Sequence, residues 1–189
     1  MKKIIAFTLV SVDGYFAGPN GEIDWFKTEN DDEFIEFTHE GSRLSETLIF
    51  GRTTYEMMAR YWPTPDAIRN DPIMAGVMNS TLKIVFSKTL KPVKDGPVWK
   101  NIRVIHEIKP EEIVSLKEQG NGTIAILGSG TIVQQFANHG LIDEYQLMIV
   151  PVILGAGKYL FKDFARRNLK LTESRTFRNG KVFLKYTPV

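Results

Sequence analysis

Three short runs carry residue types that could hold phosphate: Gly51-Arg52-Thr53-Thr54, Ser87-Lys88-Thr89 and Gly128-Ser129-Gly130-Thr131. Glycine exposes backbone N–H groups, hydroxyls donate hydrogen bonds, and Arg and Lys add positive charge. Each run follows a short apolar segment: Thr47–Phe50, Lys83–Phe86 and Ile124–Leu127. A helical pattern opens after the first and the third, at Arg52 and at Thr131. Strand, tight turn and helix N-terminus in succession present unpaired amides and the positive end of a helix dipole, which suits an anion. A single glycine turn fits close packing of helix on strand equally well. If the three strands are parallel neighbours, however, their ends share one rim. Together they then suit one extended ligand with several phosphates, with the pyrophosphate of a dinucleotide at Gly128–Thr131.

The elements around these runs follow from periodicity. Ile4–Val10 is a buried strand, followed by Ser11–Asn30, a long connection rich in glycine and aromatic residues (Tyr15, Phe16, Trp25, Phe26). Such a connection suits a lid or wall of a site. Asn30 or Asp31 can cap a helix with an acidic first turn, its buried face supplied by Phe34, Phe37 and Leu44. Helices are expected at Arg52–Tyr61, weakly at Asn70–Asn79, and at Pro110–Glu118, where the starting proline lacks only an N–H that needs no partner. Further strands are Arg103–Ile105 and Glu144–Val150. Arg178-Asn179-Gly180 between Leu169–Phe177 and Lys181–Thr187 is a hairpin signal. Strand–helix alternation through about residue 140 implies one α/β domain whose mainly parallel sheet is covered on both faces, with the terminal hairpin adding antiparallel strands. Ligands in such sheets bind beyond the carboxyl ends of the strands.

Composition excludes several classes. The chain has 189 residues and a net charge of +2 without a long basic block, so there is no nucleic-acid footprint. The absence of cysteine removes disulfides, thiolate metal sites and a thiol nucleophile, and fits the cytoplasm. His39, His106 and His139 are too scattered to ligate a metal together, so none is expected. Met1-Lys2-Lys3 before Ile4–Val12 is too short an apolar run for a signal peptide, and no segment is long enough to be a membrane helix. Gly128-Ser129-Gly130 lacks the third glycine of GxGxxG, and Asp143-Glu144 begins a strand instead of ending one, which disfavours a Rossmann site. Gly155-Ala156-Gly157-Lys158 lacks the spacing of a P-loop.

Several runs in this order resemble the dihydrofolate-reductase-like superfamily, and more closely the reductase domain of the bacterial riboflavin-biosynthesis protein RibD. They are Ser11-Val12-Asp13-Gly14, Asn20–Trp25, Gly51–Glu56, Phe86-Ser87-Lys88, Leu127–Gly130, and Asp143-Glu144 through Pro151 to Gly155-Ala156-Gly157 and Leu160-Phe161. The resemblance spans the chain. It implies a dihydrofolate-reductase-like three-layer sandwich, NADPH as cofactor, and hydride transfer to a pyrimidine- or pterin-like small molecule, as in 5-amino-6-(5-phosphoribosylamino)uracil reduction. By the same resemblance Gly51, Arg52 and Thr53 meet phosphates, with Arg52 near the adenosine 2′-phosphate and Ser87 and Lys88 flanking it. Gly128, Ser129, Gly130 and Thr131 hold the pyrophosphate, Leu127 is a further cofactor-binding residue, and Val10 borders the nicotinamide. Ser11, Asp13 and Trp25 face substrate, with Asp13 and Asp24 as candidate catalytic carboxylates. Asp13 before Gly14 is equally a common turn former. Glu56, one turn into its helix, is placed to bond locally.

Dihydrofolate reductases carry a carboxylate on the helix after the first-loop Trp. Counting from Trp25 puts Asn30 there, which argues against ordinary dihydrofolate reduction. The substrate phosphate has Arg43, Arg60, Lys158, Arg166 and Arg167 available. The resemblance also implies a homodimer, for which Glu144–Val150 and the terminal hairpin offer strand edges. Two alternatives stay open: a pterin reductase of the dihydrofolate type, and a non-catalytic NADP(H)-binding regulatory protein.

Overall fold

A computed structural model describes residues 1–26, 31–162 and 164–189. In chain order the first half forms β1 (Lys3–Ser11), β2 (Tyr15–Ala17), a 3-10 turn (Asp24–Phe26), α1 (Asp32–Arg43), β3 (Ser45–Gly51), α2 (Arg52–Tyr61), α3 (Pro65–Asn70) and α4 (Pro72–Ser80). The second half forms β4 (Leu82–Phe86), β5 (Ile102–Ile105), α5 (Pro110–Glu118), β6 (Thr123–Ile126), α6 (Gly130–Asn138), β7 (Glu144–Val150), β8 (Lys158–Tyr159), β9 (Leu169–Thr176) and β10 (Val182–Pro188). The main sheet has the order β5-β4-β3-β6-β1-β7-β10-β9. It is parallel from β5 to β7, and β10 and β9 close it as an antiparallel hairpin.

Period-two alternation splits the core. Ile49, Ile84, Phe86 and Ile126 join α5 and α6 on one face, while Leu48, Phe50 and Val85 meet α2 and α4 on the other. Farther along that second face, Phe7 and Leu9 of β1 join Met148 and Phe183 beneath Phe34 and Phe37 of α1. The result is the expected α/β three-layer sandwich. α1 begins where its acidic first turn predicts, because the Asp31 carboxylate accepts from Glu33 N and Phe34 N. Asn30, the other candidate cap and the position of the dihydrofolate-type carboxylate, lies outside the described residues.

Four expectations are corrected. Leu44 is 68% exposed because it is the C-cap, past the last turn that could aim it inward. Asn70–Asn79 is not one helix: Thr64 caps α3 through Ala67 N, and Asp71 both ends α3 and caps α4 through Met74 N. The connection from Ser11 onward contains a strand, β2, paired with β8. β7 is no edge, since β1 and β10 flank it; among the described residues the open edges of the sheet are β5 and β9.

Lys83 is an apparent anomaly in β4. It is 0% exposed, and its ammonium donates to the carbonyls of Asn79 (3.1 Å), Thr81 (2.7 Å) and Lys100 (2.8 Å) beneath the Trp99 ring. It thereby neutralises the carbonyl end of α4. Burial pushes its pKa down from 10.5 to about 8. Between those values the unfolded chain holds the extra proton, so this group makes stability rise with pH. The shift corresponds to roughly 3 kcal/mol. Denaturant unfolding of wild type and Lys83→Met from pH 7 to 10.5 should show the wild type gaining on the variant above pH 8. Parallel pH profiles would show that the ammonium is not desolvated.

Candidate active site

The three phosphate-type runs come together. β4, β3 and β6 are consecutive parallel strands, so Ser87, Gly51 and Gly128 end on one rim. Gly51 N donates to Gly128 O at 2.8 Å, bringing the N-termini of α2 and α6 side by side. Gly51 and Ser129 are the N-caps of these helices, and neither provides a side-chain cap. No side chain therefore caps their first-turn amides, although in α6 the Ile132 amide donates to Ser129 O and Phe16 lies against Gly130. Glycine is required by close approach: a Cβ on Gly51 would lie 2.9 Å from Ser129 Oγ, and one on Gly130 would strike the Phe16 ring. Gly128 has φ +123°, and its peptide bond to Ser129 is cis. Leu127 follows β6 instead of ending it, its N–H donating to Ile49 O. Thr53 and Thr131 stand exposed in the first turns of α2 and α6.

Arg52 spans two of the strand ends. Its Nε donates to Glu56 Oε1 at 2.7 Å and one terminal nitrogen to Thr89 Oγ1 at 2.8 Å, while the side chain stays half-exposed. Glu56 thus bonds locally, as its spacing suggested. Ser87 Oγ accepts from Thr89 N and Leu90 N, folding the turn that presents Thr89 and the exposed Lys88. His106 Nδ1 donates to Ser87 O at 2.8 Å, which places the ring proton on that nitrogen. A groove of about 300 Å³ runs between α5 and the β4–β5 edge, its upper end at Phe86 and Ile105 beside this cluster.

The opposite wall forms around the end of β1. Val10 is buried and pairs with Ile149. Ser11, also buried, accepts from Tyr15 N at 2.9 Å. The Asp13 carboxylate accepts from Gly155 N at 2.8 Å and Leu154 N at 3.1 Å. The Ser11 hydroxyl, with those two amides, holds the Asp13 carboxyl below its ordinary pKa. Asp13 is therefore an ionised clasp on the Leu154–Lys158 loop. β2 pairs with β8 next to this clasp, where the Tyr15 and Tyr159 rings stack and their hydroxyls lie 2.8 Å apart. That hydrogen bond raises the Tyr15 pKa to about 12, so the phenol stays protonated. Gln134 of α6 donates to the carbonyls of Tyr159 and Leu160, tying this flap to the helix whose N-terminus Phe16 covers.

Other candidates stand apart from the clasp. Asp24 is exposed in the 3-10 turn and makes no hydrogen bond among the described residues. Trp25 Nε1 donates to Glu22 O, and its ring packs edge-on against Phe26. Arg43 pairs with Glu36, and Arg167 donates to Asn138 O at the far end of α6. Arg60 and Arg166 are exposed, and Lys158 sits on the flap in β8. No acidic or histidine cluster among the described residues could hold a metal, and no helix there is long and apolar enough to cross a membrane. Sequence reasoning missed Tyr159 and Gln134 as contributors. Thr89 stands within the run Ser87-Lys88-Thr89, and the bond it accepts from Arg52 is what the fold adds.

Known proteins resemble this chain in sequence and in fold. A Bacillus subtilis (strain 168) protein called uncharacterized protein YyaP is 32% identical over 186 residues, covering 98% of this chain and 94% of that protein. A structure from Shewanella sp. PV-4, assigned provisionally to riboflavin biosynthesis, superposes with a TM-score of 0.76 at 23% identity over 99% of both chains. Dihydrofolate reductase from Enterococcus faecalis, solved with NADP(H), superposes with a TM-score of 0.64 at 16% identity over 98% of this chain and 96% of that one. At these identities the two structures show the shared fold. The RibD C-terminal domain family matches residues 2–183, and the chain belongs to that family.

Proposed function

We propose that this protein is an NADPH-dependent reductase that transfers hydride to a pyrimidine-like compound, with 5-amino-6-(5-phosphoribosylamino)uracil as the first candidate. The observation that carries this reading is the meeting of three strand ends on one rim, with Arg52 bonded across to Thr89. The residues fit the cofactor because the two helix N-termini lack side-chain caps and stand beside the exposed hydroxyls of Thr53 and Thr131 and the cationic Arg52 and Lys88. Arg52, Thr53, Ser87 and Lys88 would hold the 2′-phosphate end, and the amides from Gly128 to Thr131 the pyrophosphate. Val10 and Ser11 would border the nicotinamide. Bound NADPH supplies the hydride.

Asp13 positions in this scheme and does not donate a proton, because its carboxyl is held ionised by Ser11, Gly155 and Leu154. The test is titration with NADPH, followed by addition of the uracil substrate and a record of reduced-nicotinamide absorbance. Saturable binding with substrate-dependent decay is the expected result. Binding without turnover across pyrimidines and pterins would favour a regulatory nucleotide-binding role, and no binding of either nicotinamide nucleotide would overturn both.

A further inference from the structure

Asparagine followed by glycine occurs three times in this chain, at residues 20–21, 121–122 and 179–180. In any such pair the glycine amide nitrogen can attack the asparagine side-chain carbon, because no Cβ shields it. What differs is where the fold sends that N–H. Gly21 N donates to Gly18 O and Gly180 N to Phe177 O, both at 3.0 Å. The side chains of those two pairs are tied as well. Asn20 Nδ2 donates to Glu22 Oε1 at 2.7 Å, and Asn179 Oδ1 accepts from Lys181 N at 3.1 Å. Gly122 N has no acceptor among the described residues, and Asn121 is exposed in the turn between α5 and β6.

Two further contacts single out this pair. Met1 N donates to Asn121 Oδ1 at 3.1 Å, which draws electron density from the side-chain carbonyl carbon and stabilises an oxyanion forming there. A Cβ at position 122 would fall on the Glu46 carboxyl group, which holds that position to glycine. A bulge aims Glu46 there: the β3–β6 register shifts between Ser45 and Thr47, and Lys2 pairs with the Glu46 carboxylate at 3.0 Å. The fold thus leaves an unbonded amide nitrogen next to a polarised carboxamide, with no side chain on the glycine to hinder ring closure.

We propose that Asn121-Gly122 is a self-modifying site, converted to aspartate or isoaspartate in the folded protein ahead of the other two pairs. Gly122 N bonds to Asn121 Cγ and loses its proton to solvent. The Cγ–Nδ2 bond breaks, and the nitrogen leaves as ammonia with a proton from solvent. Water then opens the resulting succinimide at either carbonyl. No oxidant or cofactor takes part, and the inference does not depend on the reductase reading. A neutral side chain becomes an anion beside Met1 N and Glu46, and the isoaspartate form lengthens the backbone just before β6. The test holds the folded protein at pH 8, digests samples at acidic pH, and follows amide-to-acid conversion at the three sites by mass spectrometry, with a parallel sample in urea. Having no hydrogen bond to break, Asn121-Gly122 should convert roughly tenfold faster than the other two pairs in the folded protein. In urea, where all three amides are bare, the rates should converge. Conversion at Asn20 or Asn179 as fast as at Asn121 in the folded protein would overturn the assignment. A preference for Asn121 that persists unchanged in urea would overturn it too, because flanking sequence and not the fold would then set the rate.

Discussion

Arg52→Ala is expected to weaken NADPH binding by roughly 10- to 100-fold while changing NADH binding by less than about threefold. The guanidinium is held from two sides, by Glu56 on its own helix and by Thr89 beyond the neighbouring strand. On the reductase reading it would meet the 2′-phosphate at the α2 end of the rim, a group that only NADPH carries. Fluorescence titration of both nucleotides against wild type and variant measures the ratio. The NADPH term should also weaken with added salt, because Arg52 is half-exposed and its charge is screened. Equal loss for both nucleotides would move Arg52 away from the 2′-phosphate.

Asp13→Ala is expected to lower turnover on the order of 100-fold, the usual effect of misplacing a site wall by about an ångström. Without the carboxylate, the amides of Leu154 and Gly155 lose their acceptor and the loop is released from the end of β1. Asp13→Asn keeps one acceptor oxygen and should fall between Ala and wild type. The pH dependence has a definite sign. The folded carboxyl holds its proton more weakly than the ordinary value of 3.8, so its contribution is complete at neutral pH and is lost as pH falls through the lowered folded pKa. The Asn variant should lack that acid limb. Stopped-flow hydride transfer from pH 3 to 8 checks both points, and wild-type-like rates in the Ala variant would reduce Asp13 to a turn former.

The rim was legible in the sequence because its causes are local. Gly51-Arg52 and Gly128-Ser129-Gly130 each join an apolar run to a helical period, and α2 and α5 begin and end where spacing and proline placed them. What stayed hidden depends on long-range partners. β2 and β8 are three and two residues long and stable only as a pair, so neither has a period of its own. The partners of Asp13 lie 141 and 142 residues away. Lys83 stands within β4, where a lysine ordinarily points to water, and nothing local marks the three carbonyls that accept from it.

The tie between Gln134 and the carbonyls of Tyr159 and Leu160 reaches beyond site geometry. With Phe16 against Gly130 and Asp13 on the 154–155 amides, it joins segments from the beginning, middle and end of the chain into one cooperative unit. Hydrogen exchange in this unit should slow together, at residues 154–155 as well as along α6, when a nucleotide stabilises the helix. Protection confined to the phosphate turn would mean that the two walls of the cleft open independently.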